Sequence, residues 1–208
     1  MKRNFSNESA VNLALRALKA LTVRLRGIAL SSLGAFATGS GYPVYFGRGL
    51  RMINSKSIKF GGRNAFGIFA RIECHGDENG GDPTLPLIDI GNNTSFGDYF
   101  HAGAIKGIRI GNNVLGGSNI LIVDHSHGNP SVDMETRTHV IPRERPLTSK
   151  GAISIADNVW IGDNCVILGG SDIGLGAIIA ANAVVAGAVA PYTIYFGRSD
   201  QSGRAHVQ

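Results

Sequence analysis

The stretch ISIADNVWIGDNCVILGGSDIGLGAIIAANAVV, residues 153–185, decides the fold. An aliphatic residue returns at every sixth position: Ile155, Ile161, Ile167, Ile173, Ile179 and Val185. A small residue, Ala156, Gly162, Gly174, Ala180 or Ala186, follows all but one of them. This period is neither the 3.6 of a helix nor the 2 of a simple strand; a fixed short repeat is the mark of a solenoid. Each six-residue unit supplies one short strand and one tight turn, with the aliphatic side chain pointing inward. Three units close one triangular coil, and successive coils stack as parallel strands about 4.8 Å apart. One coil cannot bury its inner face alone, so the stack makes a continuous apolar column.

The same phase recurs upstream at Ile90, Phe96 and Ala102, and after a two-residue slip at Ile110, Gly116 and Ile122. Turn residues fall between the inward positions: GNN at 91–93 and 111–113, DN at 157–158 and 163–164. Coils before Ile90 read as looser. Two interruptions, HGDENGGDPTLP at 75–86 and a longer excursion over 128–151, read as loops thrown out of the solenoid, where function often sits. The expected division is an N-terminal helical segment (1–40), a β-helix (41–197) and a tail (198–208).

The 208 residues are 43% hydrophobic and only 17% charged, enough apolar content for a packed core and too little charge for disorder. The formal charge of +5 fits either a solvated surface or an anionic partner. Basic residues do not form a stripe interleaved with aromatics, so nucleic-acid binding has little support. Cys74 and Cys165 lie far apart and outside any CxxC pattern, as expected of reduced thiols in a cytoplasmic protein. No apolar h-region or membrane-length apolar run is evident. Residues 9–33 place Val11, Leu15, Leu18, Leu21 and Leu25 at helical spacing among Arg16, Lys19, Arg24 and Arg26. This predicts an amphipathic helix that either packs within the protein or rests on the inner membrane surface.

NILIVDHSHG, residues 119–128, runs a buried strand into a carboxylate and two imidazoles. A histidine of near-neutral pKa can remove a proton from a hydroxyl as a bond forms, and Asp124 or a backbone carbonyl could fix its tautomer. His125 and His127 are the candidate bases, facing the same way if the chain stays extended. His101 lies one coil earlier. Arg137, Arg143, Arg145 and Lys150 lie in the excursion and could meet phosphates or an anionic acceptor.

The hexapeptide frame, DHSHG at 124–128, RPLTSKG at 145–151 and ISIADNVWIGDNCVIL at 153–168 together resemble the hexapeptide-repeat acyltransferases. They are most similar to bacterial O-acetyltransferases of lipopolysaccharide, capsule and colanic acid, over about residues 45–197. The resemblance implies an all-β, left-handed parallel β-helix acting as a homotrimer, with active sites between subunits. It implies acetyl-CoA as co-substrate, a saccharide acceptor, a histidine base and no metal. By the same resemblance Trp160 lines the site. His101, by its place one coil before the histidine pair, is a candidate for the acceptor side, and Arg145, by its place in the excursion, for the acceptor or the CoA phosphates. Asp163 and Ala181 match turn positions where relatives touch the pantetheine arm of CoA, and Arg198 is a candidate to replace the CoA contacts of the family's usual tail. The chain departs from the family at its end, where YFGRSDQSGRAHVQ replaces the usual GxPAK pattern.

Three rival readings stand beside this one. A γ-carbonic-anhydrase-like zinc site would use His101, His125 and His127, although that family spaces its last pair about five apart. A β-helical scaffold would show no turnover. N-acetylation of a nucleotide-linked amino sugar would use the same fold and base.

Overall fold

A computed structural model describes residues 43–76, 86–128 and 139–197, together with residues 15, 16, 18, 21 and 22. The strands form three parallel sheets, the faces of a triangular prism. The first sheet stacks Val44–Phe46, Asn64–Phe66, Ser95–Phe96, Leu115–Gly116, Trp160–Ile161, Ile178–Ile179 and Ile194–Tyr195. The second stacks Arg51–Ile53, Arg71–Cys74, His101–Ala104, Leu121–Val123, Val166–Leu168 and Val184–Val185. The third stacks Ile58–Phe60, Ile88–Ile90, Ile108–Ile110, Ile153–Ile155, Asp172–Ile173 and Ala188–Val189. The chain visits the sheets in strict rotation, so the six-residue step becomes one face of the prism.

The inward column is the one that the periodicity names. Ile155, Ile161, Ile167, Ile173, Ile179 and Val185 are all buried, as are Ile90, Phe96, Ala102, Ile110 and Ile122. The coils before Ile90 are not looser: Phe60, Phe66 and Ile72 continue the same column, in register with Ile90, Phe96 and Ala102. What disguises them is aromatic content. Phe46, Phe60, Phe66, Phe96 and Phe100 interlock at that end, with Phe96 and Phe100 stacked at 4.1 Å. This also explains the small residue at 116. The Phe96 ring occupies the space that a side chain there would need; an added Cβ would lie 2.5 Å from its Cε1.

Two edges of the prism are fixed by polar ladders. Between the third and first sheets, Asn93, Asn113 and Asn158 all take positive φ, and their side-chain amides bond coil to coil at 2.8 and 3.1 Å. Between the first and second sheets, Asn119 bonds Asn164 at 3.1 Å, and Asp163 accepts from the Ser118 N–H. Asparagine tolerates the left-handed region and carries its own hydrogen-bond pair, so one residue type solves the turn and the stacking together.

The third edge, between the second and third sheets, behaves differently. Among the described residues the departures from the six-residue step lie there: from Met52 to Phe60, across the 75–86 loop, from Ala102 to Ile110, across the excursion before Ile153, and from Val185 to Val189. The excursion begins earlier than the sequence suggests. Leu121–Val123 ends at a bend at Asp124, and His125–His127 is a separate strand, antiparallel to Leu147–Ser149.

At the N-terminal end, Leu15, Arg16, Leu18, Leu21 and Thr22 are helical, and the three leucines are more than half exposed. The rest of the expected helix lies outside the described residues. Among those residues no helix is long and apolar enough to cross a membrane. Cys74 and Cys165 are free and buried, and burial pushes the Cys74 thiol up to about 12.

Replacing Gly116 by Val forces a side chain into the Phe96 ring. The expected cost is about 1–3 kcal/mol, read as a lower urea midpoint at unchanged m-value. An unchanged midpoint contradicts the packing described for this layer.

Candidate active site

Asp124 organises the third edge where the slip and the excursion meet. Its side chain is fully buried. Oδ1 accepts from the Ile105 N–H at 2.9 Å, and Oδ2 accepts from Lys106 and Gly107 N–H at 2.7 Å each. Those three amides belong to the turn created by the two-residue slip. The aspartate therefore fills the hollow of one coil's irregular turn with a carboxylate from the next. Burial disfavours its charge, but His125 and the three amides outweigh that cost and hold its carboxyl below the ordinary aspartate range.

An ionised carboxylate only accepts. The 3.1 Å contact between Asp124 Oδ1 and His125 Nδ1 therefore places the proton on Nδ1 and leaves Nε2 with a free lone pair. The imidazole lies back across the outer face of the second sheet. It covers Gly103, where an added Cβ would stand 3.2 Å from His125 Cε1. The absence of a side chain at 103 is what lets the ring lie there. The His75 ring meets His125 edge-on at 5.3 Å.

His101 borders the same face, one coil below. Its Nε2 lies 3.2 Å from Oε2 of Glu73, which the parallel register sets opposite Gly103. Arg71 Nη2 reaches that same oxygen at 2.9 Å, and Arg51 Nε lies 3.3 Å from Oε1. Burial opposes ionisation of Glu73, but Arg71 and His101 prevail and its carboxyl stays below the usual range. Burial, then Arg71, pushes the His101 pKa down, so that imidazole stays neutral near pH 7.

The structure brings together Asp124, His125 and His101 and separates the other expected residues from them. His127 is exposed, further out on the hairpin and opposite Leu147. Trp160 is on the outer face of the first sheet, 52% exposed, in register between Leu115 and Ile178. One chain therefore does not place it beside His125. Arg145 braces the excursion, its Nε donating to the Val140 carbonyl at 3.0 Å. Asp163 and Ala181 occupy successive coils of the edge between the first and second sheets. Arg198 and Arg137 lie outside the described residues. Among the described residues no three His, Cys, Asp or Glu side chains converge as a metal-binding group.

Glu73, Arg71, Arg51 and His75 are the residues the sequence reading missed. A signal existed. Counting back in sixes from Ile90 crosses the 75–86 loop in phase and lands on Ile72, which makes Arg71 and Glu73 outward neighbours of His101 and Gly103.

The chain belongs to the bacterial hexapeptide-repeat acetyltransferase family, and its solenoid is the left-handed parallel β-helix of that family. Residues 152–187 match the bacterial transferase hexapeptide (six repeats) family. Over 144 residues it is 30% identical to WbbJ of Escherichia coli (strain K12), named for lipopolysaccharide biosynthesis O-acetyl transfer, covering 69% of each chain. In fold it is similar to an AntD variant, an N-acyltransferase from Bacillus cereus, in complex with dTDP-4-amino-4,6-dideoxyglucose and Coenzyme A. That likeness has a TM-score of 0.62 at 16% identity and covers 78% of this chain and 79% of that one. A hexapeptide-repeat containing acetyltransferase from Vibrio cholerae superposes with a TM-score of 0.51 at 23% identity, covering 93% and 91%.

Asp124→Ala leaves the Ile105, Lys106 and Gly107 amides without their acceptor, the first and last of them buried. It is expected to cost about 3 kcal/mol of folding stability near pH 7. The folded-state pKa is depressed, so this contribution is fully present above the unfolded aspartate pKa and is lost as pH falls through the folded value. Urea titrations of wild type and variant should therefore converge in strong acid. A gap independent of pH contradicts an ionised Asp124.

Proposed function

We propose that this acetyltransferase moves an acetyl group from acetyl-CoA to a saccharide hydroxyl, with His125 as general base and Asp124 as its orienting partner. The observation that carries the reading is the Asp124–His125 pair. The buried carboxylate fixes Nδ1–H, and Nε2 is left free on a partly open face. The acceptor oxygen attacks the thioester carbonyl carbon while Nε2 takes its proton. Collapse of the tetrahedral intermediate breaks the C–S bond, and the imidazolium returns the proton to the departing CoA thiolate. The Asp124 charge stabilises the imidazolium between those steps, as in other carboxylate–histidine pairs. The acetyl group passes directly, without an acyl-enzyme.

A surface polysaccharide is the acceptor class favoured by the similarity to a relative named for lipopolysaccharide biosynthesis. The AntD likeness, at 16% identity, supports the fold and does not favour an amine acceptor. Trp160, on a different face of its own chain from His125, takes part in this reading as a residue of a second copy within a homotrimer. Peripheral seating on the cytoplasmic face of the inner membrane fits the exposed Leu15, Leu18 and Leu21.

His125→Ala is expected to lower acetyl transfer by about 10²–10⁴-fold, while His127→Ala stays within a few-fold. Thiol release from acetyl-CoA with a panel of sugars measures both. Turnover retained in His125→Ala places the base elsewhere. Mixing provides a second check. Trimers co-assembled from His125→Ala and Trp160→Ala chains should regain activity at interfaces that join two intact residues. Failure to regain any activity speaks against a site shared between copies.

A further inference from the structure

The second sheet carries two imidazole–carboxylate pairs on either side of Gly103, and the reading above uses one. The unused pair is His101 with Glu73. Glu73 exposes only 4% of its side chain, and its burial is not incidental. It sits on an outward strand position, opposite Gly103, where a solvated charge would be ordinary. Arg51, Arg71, His75 and His101 enclose it instead. Among the described residues its Oε1 is the buried side-chain oxygen or nitrogen without a hydrogen bond, held by Arg51 through charge alone. A buried carboxylate is costly unless it is paired, and nothing in the coil stacking requires one at this place. Its contact with His101 fixes that imidazole beside Gly103.

The tautomer follows from the chemistry of the partner. The ionised carboxylate accepts, so His101 carries its proton on Nε2 and presents Nδ1 as a lone pair. His125 has the opposite arrangement, Nδ1–H toward Asp124 and Nε2 free. Both rings border one glycine: an added Cβ at Gly103 would lie 3.2 Å from His125 Cε1 and 3.7 Å from His101 Nε2. Each ring therefore keeps one nitrogen outside its carboxylate contact, and Arg71 adds donor capacity nearby. A single hydroxyl needs one base. Two carboxylate-held imidazoles beside one recess suit an acceptor that carries two hydroxyls.

Resting on the acetyl-transfer reading, we propose that His101, positioned by Glu73, accepts a hydrogen bond from a second acceptor hydroxyl that neighbours the one acetylated at His125. The acceptor class is thereby narrowed to saccharides with a free hydroxyl pair. His101 is an acceptor-binding residue, and Glu73 is a positioning residue that acts through it. No bond to His101 is made or broken covalently, and the proton of the second hydroxyl stays with its oxygen.

The test uses the full-length protein, acetyl-CoA, and methyl hexopyranosides with their monodeoxy analogues, each lacking one hydroxyl next to the acetylated one. Thiol release gives KM and kcat for wild type, His101→Phe, Glu73→Gln and His125→Ala. With wild type, one monodeoxy analogue should lose about tenfold in kcat/KM, the worth of one hydrogen bond. His101→Phe should lose about tenfold for the parent sugar, mostly in acceptor KM, and should cease to distinguish the parent from that analogue. KM for acetyl-CoA should hold within about twofold. Glu73→Gln should show the same lost discrimination; His101→Phe carries the test where Glu73→Gln lowers folding stability, because residue 101 is partly exposed. A His101→Phe enzyme that discriminates the analogues as wild type does, beside an inactive His125→Ala, overturns the second-hydroxyl site and leaves the acetyl-transfer reading intact. If no sugar accepts acetyl from the wild-type enzyme, both fall together.

Discussion

The Asp124 carboxylate is the constraint on which the geometry of the site depends. It is a buried charge reaching from one coil into the irregular turn of the coil below, where three backbone N–H groups close on it at 2.7–2.9 Å. Alone, a buried anion would be strongly destabilising. Here the amides, which the two-residue slip leaves without regular ladder partners, are satisfied by that anion. Each defect repairs the other. The fourth contact, to His125, then comes with a carboxylate already immobilised and ionised, so the ring inherits a fixed direction and a fixed tautomer. One oxygen, Oδ1, both closes the turn at Ile105 and orients the ring.

The sheet face above Gly103 shows how a repetitive fold makes room for a site. In a hexapeptide coil the outward positions are nominally equivalent, and their neighbours on adjacent coils line up in parallel register. Arg71, His101 and Leu121 form one such outward row; Glu73, Gly103 and Val123 form the next. Removing one side chain from the second row, at 103, opens a recess one residue wide. His125 folds back into it from the excursion, and Glu73 and His101 meet at its lower border.

The fold was legible because its determinant is local and periodic. Inward aliphatics at every sixth residue and Asn or Asp at the turns each follow from one coil's own geometry, and both are found where the sequence puts them. The site was legible in part. Asp124 and His125 adjoin in sequence, so their pairing needed no long-range information. Glu73 did, since it lies 28 residues before His101 across a loop, and only the register makes them neighbours. The Phe-rich early coils hid that register, because aromatic layers do not resemble the Ile and Val repeat that follows. Trp160 illustrates a different limit. Its strand and orientation were readable, but whether it meets His125 depends on how copies of the chain assemble, and one chain's periodicity carries no such information.

The three edges of the prism are unequal, and the inequality has an evolutionary meaning. Two are locked by side-chain amide ladders, where any insertion would break bonds on the coils above and below. The third tolerates a step as short as that from Val185 to Val189 and as long as that from Ile122 to Ile155 without displacing a single inward residue. Closing a longer loop costs only slowly more in entropy. Chain length along that seam is therefore nearly neutral to stability, while it borders the histidines. Such a molecule can exchange its loops, and with them what it recognises, while its core stays under a separate and stricter selection.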